Sequence, residues 1–265
     1  SVSRLDDLKK FINIYKKPKS EIKIALCGKY TELIDSYKSV LEAFVHAGVE
    51  NNVRVLIEWI QTEKIRSNKS AKKSFCGANG ILILPGFGSR GSEGKILSSK
   101  YARENNIPFL GICLGMQCAV IDFARNVCKL EGANSTEFDK NTNYPVIDLM
   151  ESQRAIKIKG GTMRLGAYDC ELKKGTKTYL AYKKIKISER HRHRYEVNNR
   201  YRKNFEKNGL IFSGINNDLG VIETVEIQDH PWFVAGQFHP ELKSRVNSAH
   251  PLFRDFIAAS IRHTQ

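Results

Sequence analysis

The chain has 265 residues, 41% of them hydrophobic and 27% charged, with a formal net charge of +15 at pH 7. That is enough for one large domain or two small ones, and no apolar run approaches the roughly 20 residues that a membrane helix needs. The N-terminal stretch "SVSRLDDLKKFINIYKKPKS" has no apolar core of the secretory kind, so an intracellular, cytoplasmic protein with no membrane partner is expected.

In chain order, "LDDLKKFINIY" spaces Leu5, Leu8, Phe11, Ile12 and Tyr15 as a helix, and a basic Pro-containing linker follows to residue 19. "IKIALCG" (Ile22–Gly28) reads as a strand, and "SYKSVLEAFVHAG" as a helix closed by Gly48. "RVLIEWI" is a strand, and residues 61–79 are polar and lysine-rich, predicting a surface excursion. "GILILPGFG" is a buried strand ending in a turn, "EGKILSSKYARENN" a helix, "IPFLGIC" a strand and "LGMQCAVIDFARNV" a helix. This alternation predicts an α/β fold with an open, mostly parallel central sheet and helices on both faces. Beyond residue 130 the pattern loosens. "ISERHRHRYEVN" predicts an extended segment, "LIFSGIN", "GVIETVEI" and "WFVAGQFHP" a few antiparallel strands, and "HPLFRDFIAASIRH" a terminal helix.

The chemistry concentrates at "FLGICLGMQ". Cys113 lies between a strand and a helix, flanked by Gly111 and Gly115, which is the pattern of a nucleophile elbow with cysteine in place of serine. A helix N-terminus favours the thiolate, and the Leu114 N–H would face an oxyanion. A buried core thiol is the competing reading from this pattern alone. A cysteine nucleophile needs a base and a group to orient it. "GQFHPEL" supplies His239 and Glu241, which extended chain would place on one side. Cys118 and Cys27 read as core packing. The six cysteines show no CxxC pairs, which argues against a structural zinc site or a disulfide framework. The basic groups "KKPK", "KSAKK", "KKGTK" and "ERHRHRYEVNNRYRK" come without a nucleic-acid motif and read as solvated surface.

"GICLGMQ" together with "FHPE" resembles the class I, triad-type glutamine amidotransferases. "LCGKYTELIDSYKSVLEAFVHAG", "PGFGSRGSEGKI", "ANSTEF", "GGTMRLG", "ERHRHRYEVN" and "HPWFVAGQFHPE" narrow the likeness to the C-terminal glutaminase half of the CTP synthase family, from about Ile22 to Phe256. The resemblance implies that Cys113 attacks the glutamine side-chain amide, that His239 is base and acid, and that Glu241 orients it. It implies an oxyanion hole from Gly86 and Leu114 and a glutamine grip from Gln117, Glu137 and Arg194. Phe87, Arg90 and Leu165 fall in stretches similar to the family's GTP effector region.

The resemblance further implies residues 1–19 as a connector from an upstream synthetase half and 20–265 as the glutaminase domain. It implies no cofactor in this domain, with ATP and Mg2+ used by the synthetase half, which is a partner along with L-glutamine and GTP. The full-length family member would be a homo-oligomer with no specific nucleic-acid partner. Two departures stand out. "LPGFG" has one glycine fewer than the family's turn, and no G-x-x-x-x-G-K-[ST] phosphate loop occurs. The chain therefore reads as an excised half that releases ammonia for conversion of UTP to CTP elsewhere. The alternatives are a related γ-glutamyl hydrolase or peptidase and a non-catalytic basic binding module.

Overall fold

The computed structural model describes residues 2–28, 34–149 and 163–263. Its frame is a nine-stranded sheet. The first part comprises β1 (Ser20–Gly28), β2 (Val53–Gln61), β3 (Gly80–Ile83), β4 (Phe109–Ile112) and β12 (Phe233–Gly236), in the order β2-β1-β3-β4-β12 and all parallel. The sheet then continues antiparallel through β11 (Val221–Ile227), β10 (Leu210–Asn216), β7 (Arg164–Leu172) and β8 (Lys186–His193). A second, three-stranded sheet joins β5 (Asn134–Ser135), β6 (Pro145–Leu149) and β9 (Tyr195–Val197).

The short apolar strands cannot be amphipathic, because both their faces are covered. β1 shows how. Ile22, Ile24 and Leu26 pack with α2 (Lys38–Glu50) and the C-terminal helix α8 (Pro251–His263), whereas Ala25 and Cys27 face the opposite core. That second core holds α3 (Asn68–Ser74), α4 (Ser92–Glu104) and α5 (Leu114–Asn126). Phe109 and Phe233 stack at 4.3 Å across β4 and β12, locking the central strands together. The expected α/β sheet with helices on both faces is therefore present. Two short helices, α6 (Lys177–Tyr182) and α7 (Arg202–Lys207), support the antiparallel part. The N-terminal helix α1 (Val2–Lys16) rests on α2, with Phe11 against His46 and Leu5, Leu8, Ile12 and Tyr15 exposed. Among the described residues no helix is long and apolar enough to cross a membrane.

Two expectations need correction. Gly48 does not end its helix, which runs on to Glu50. A Cβ there would lie 2.8 Å from the Val53 carbonyl oxygen, so this glycine lets β2 approach the helix. Residues 61–79 are not a mere surface excursion either. Thr62, Ile65, Ala71, Phe75 and Ala78 are buried, and Phe75 stacks on Tyr101 at 5.4 Å. The lysines carry the solvent side of a segment whose sparse apolar residues close one edge of the core.

Candidate active site

The parallel strands end at one edge, where β4 delivers Cys113 to the first turn of α5. Cys113 has φ 53° and ψ −103°, a conformation that non-glycine residues avoid, at a cost of about 1–3 kcal/mol. The surroundings impose it. The Cys113 N–H donates to the Gly236 carbonyl at 2.8 Å, and the Cys113 carbonyl already accepts from Gln117 N. A Cβ on Gly115 would fall 2.5 Å from the Ile83 carbonyl oxygen, and one on Gly111 would fall 2.9 Å from Ala235 Cβ. The glycines flanking the cysteine are therefore steric requirements of a sharp elbow. Cys118, one turn on, is wholly buried, and burial pushes its thiol up to about 12; Cys27 behaves alike. Both pack in the core, as their sequence positions predict.

His239 and Glu241 follow β12. Their pairing is closer than the alternation argument required, and it has a different cause. His239 sits at φ −107°, ψ 84°, and Glu241 lies in a single 3-10 turn (Pro240–Lys243), not in extended chain. Their contact is Nδ1 to Oε1 at 2.7 Å. Burial alone would depress the imidazole, but the neighbouring Cys113 and Glu241 side chains override it and raise His239 to about 10. With Nδ1 held by the carboxylate, Nε2 has no hydrogen-bond partner among the described residues, and this is the nitrogen left for the sulfur. The arrangement holds a protonated imidazole against a 2% exposed cysteine.

The binding candidates surround this pair. Gly86 follows β3, and a Cβ on it would sit 3.5 Å from Leu114 Cδ2, so the two proposed oxyanion donors are neighbours. The same Cβ would be 3.5 Å from Nζ of Lys95, a fully buried lysine that donates to the Leu84 carbonyl at 3.2 Å. Glu137 Oε1 accepts from the Gly88 N–H at 2.7 Å, tying the "PGFG" turn to the segment after β5. Arg194 lies half-buried at the β8–β9 junction. Glu137 and Arg194 act with opposite sign on the Tyr195 phenol, whose pKa is raised chiefly by burial. Gln117 is buried, and its Nε2 donates to the Tyr195 carbonyl at 3.1 Å and to Gln237 Oε1 at 3.4 Å.

Of the effector candidates, Phe87 is 41% and Leu165 67% exposed, and Arg90 is ion-paired with Glu63 at 3.0 Å. Gly160, Gly161 and Thr162 of "GGTMRLG" lie outside the described residues.

The sequence reading missed what lies behind the site. Arg164 is buried and donates to Glu196 at 3.0 Å and to Glu223 at 2.7 Å. Beside them His191 Nδ1 and His193 Nε2 meet at 2.9 Å. One guanidinium cannot neutralise two buried carboxylates, so burial raises Glu196 to about 8 and Glu223 to about 7. Burial and the Arg164 charge lower His191 to about 2 and His193 to about 3, so both imidazoles are neutral. Their contacts with the two carboxylates are thus not ion pairs. The visible signal was the alternation in "ERHRHRYEV": Glu189, His191 and His193 turn inward while Arg190 and Arg192 turn out.

The family pattern of class-I glutamine amidotransferases matches residues 32–259. A CTP synthase from Prosthecochloris aestuarii is 60% identical over 254 residues, 95% of this chain and 45% of that relative. One from Pelodictyon phaeoclathratiforme is 56% identical over 258 residues, 97% of this chain and 46% of that relative. The chain thus spans somewhat less than half the length of these curated relatives. Among solved structures, the glutaminase domain of CTPS from Trypanosoma brucei with bound acivicin superposes with a TM-score of 0.86. It is 37% identical, and the match covers 91% of this chain and 94% of that one.

Proposed function

The chain belongs to the class-I glutamine amidotransferase family, and on that premise we propose that it hydrolyses the side-chain amide of L-glutamine to glutamate and ammonia through a Cys113 thioester. The observation that carries the reading is the strained Cys113 elbow beside a His239 whose pKa Cys113 and Glu241 together raise, with Glu241 bonded to its Nδ1 at 2.7 Å. The imidazolium and the N-terminus of α5 both set positive charge beside the attacking sulfur.

In the first half-reaction the Cys113 sulfur forms a bond to the amide carbon. The carbonyl electrons move to oxygen, where the Leu114 and Gly86 N–H groups stabilise the charge. His239 then gives its proton to the departing nitrogen, the C–N bond breaks and ammonia leaves. In the second half-reaction His239 takes a proton from water, the hydroxyl adds to the thioester, and the C–S bond breaks to release glutamate. Glu137 receives the substrate α-ammonium and Arg194 its α-carboxylate, opposite charges at the two ends of a free amino acid. Gln117 supports the site from the wall. The reading needs no cofactor, because nucleophile, acid–base and orienting groups are all side chains.

We take residues 1–19 as a connector and 20–265 as the glutaminase domain of a CTP synthase. In that whole protein the ammonia would aminate UTP, with ATP and Mg2+ used in a synthetase half. GTP would bind near Phe87, Arg90 and Leu165 as activator. The assembly would be a soluble cytoplasmic homo-oligomer.

The test is covalent labelling. Acivicin, the ligand present in the trypanosome relative, is expected to add one mass to this chain, located on Cys113 by peptide mapping, and Cys113→Ala should abolish both labelling and ammonia release. Labelling on Cys118, or ammonia release by the Cys113→Ala protein, would overturn the assignment.

A further inference from the structure

We propose that Gln237 is a further catalytic residue, donating a side-chain N–H to the Cys113 sulfur and stabilising its negative charge when it attacks and when it leaves. The proposal deepens the reading of Cys113 as nucleophile and rests on it.

Gln237 sits just past β12, two residues before His239, and is completely buried. Its backbone is fixed by donation from its N–H to the Glu223 carbonyl at 2.8 Å. Its side-chain Nε2 lies 3.7 Å from Cys113 Sγ. An amide can face either way, so the direction of that contact needs an anchor. The Tyr195 carbonyl provides one. It can only accept, so the group 3.1 Å from it must be the NH2 of Gln117. The same NH2 lies 3.4 Å from Gln237, which must therefore present its oxygen there. That leaves the Gln237 NH2 for the sulfur. Burying a carboxamide whose N–H lacks an acceptor costs about 1–3 kcal/mol, whereas a methionine of similar length would pack here without that cost.

Gln237 thus donates to the sulfur, with the His239 imidazole as a second neighbour. The roles differ. His239 gives its proton away to the leaving nitrogen and then serves as base toward water, so its support varies through the cycle. Gln237 cannot titrate, and its N–H is aimed at the sulfur throughout. The Arg192 carbonyl oxygen, 4.0 Å from Sγ, lies on a further side and offers no donor. Hydrogen bonding to a charged form favours that form. Gln237 therefore favours the thiolate over both the thiol and the thioester, which speeds formation of the nucleophile and departure of sulfur in the second half-reaction.

The test uses iodoacetamide, a small electrophile bearing the carboxamide of a glutamine side chain, on the full 265-residue chain. Alkylation of Cys113 is followed by mass spectrometry, with the exposed Cys76 as internal reference. Gln237→Met, which keeps length but lacks the donor, is expected to lower the Cys113-to-Cys76 rate ratio roughly tenfold, the low end for a hydrogen bond to a charged group. Gln117→Met should give a smaller loss, and the double variant should match Gln237→Met alone, because Gln117 acts by orienting Gln237. An unchanged ratio in Gln237→Met, or additive losses in the double variant, overturns the proposal and leaves Cys113 as nucleophile intact. A wild-type Cys113 that is not alkylated while Cys76 is would overturn the nucleophile reading itself. Should Gln237→Met fail to fold, the wild-type side-chain amide resonances decide. Cys113→Ala is expected to move one Gln237 Nε2 proton upfield, and no movement sinks the proposal.

Discussion

Arg164→Met removes the guanidinium that Glu196 and Glu223 share, 3.0 and 2.7 Å away and buried with it. Breaking a buried pair by deleting one partner costs about 3–5 kcal/mol, and here the loss has a pH signature. Both carboxyls titrate higher in the folded chain, at about 8 and about 7, than their ordinary value of 4.5. The folded state therefore holds protons that the unfolded state releases, and wild-type stability falls as pH rises through that window and levels off above it. Between pH 7 and pH 8 Glu223 has passed its value, so about one such proton is still held. Without Arg164, whose charge lowers both carboxyls, two are held. The variant then loses about 1 kcal/mol more than wild type over that single pH unit. His191 and His193, no longer depressed by Arg164, protonate more readily at low pH and push the difference in the same direction. Urea denaturation at several pH values, monitored by circular dichroism, measures it. A loss that is the same at every pH, or one below about 1 kcal/mol, would refute the charge argument. Adding Glu196→Gln and Glu223→Gln to Arg164→Met should recover most of the stability.

Three further outcomes follow from the site. Gly115→Ala places a methyl 2.5 Å from the Ile83 carbonyl oxygen, so α5 must shift; we expect roughly 1–3 kcal/mol lost in denaturation and little acivicin labelling. Glu241→Gln removes one of the two partners that raise His239, so its imidazole, followed by NMR, should titrate below the present value of about 10. Ammonia release should drop by roughly 10²–10⁴-fold. Cys118, buried and pushed up to about 12, should resist iodoacetamide under native conditions, and its native modification would contradict the packing described for α5.

Much of the fold was legible because its parallel half is built from uninterrupted apolar strands alternating with periodic helices, a pattern that burial on both faces requires. β1, β3, β4 and α5 fall where the residues place them. What was illegible depends on distant partners. Residues 61–79 look solvated until Phe75 meets Tyr101, a contact no local count of lysines reveals. Gly48 reads as a helix stop, although its role is set by the Val53 backbone on the next strand. At the site, the elbow and "FHPE" announce themselves by residue type and spacing. Gln237 stood inside the same quoted stretch, yet a buried glutamine has no distinctive signature until its neighbour's orientation is known. Arg164, Glu196 and Glu223 are far apart in sequence, and charged residues carry no mark of burial.

The long segment "ISERHRHRYEV" unites these parts. β8 is the last strand of the large sheet, paired with β7 on one side and offering unpaired backbone groups on the other. The candidate site uses them. The Ser188 carbonyl accepts from Lys243 and the Arg190 carbonyl takes the His239 N–H at 2.8 Å, and just beyond β8, at the start of β9, the Tyr195 carbonyl fixes Gln117 at 3.1 Å. The Arg192 carbonyl stands 4.0 Å from the sulfur between them. The edge of β8 and the start of β9 therefore set where His239, the surroundings of the Cys113 sulfur and the Gln117–Gln237 pair sit relative to one another. A one-residue slip would turn every side chain of β8 to the other face and break the contacts of the Ser188 and Arg190 carbonyls together. An apolar inner face would resist such a slip only by shape. The hydrogen bond between His191 and His193, and those of Glu189 with Tyr182 and His250, resist it by chemistry, since a slipped register would carry these buried polar groups away from their partners. The buried polar residues of β8 thus have a physical reason to lie behind Cys113, although purely as a source of stability a buried polar cluster can be replaced by apolar residues.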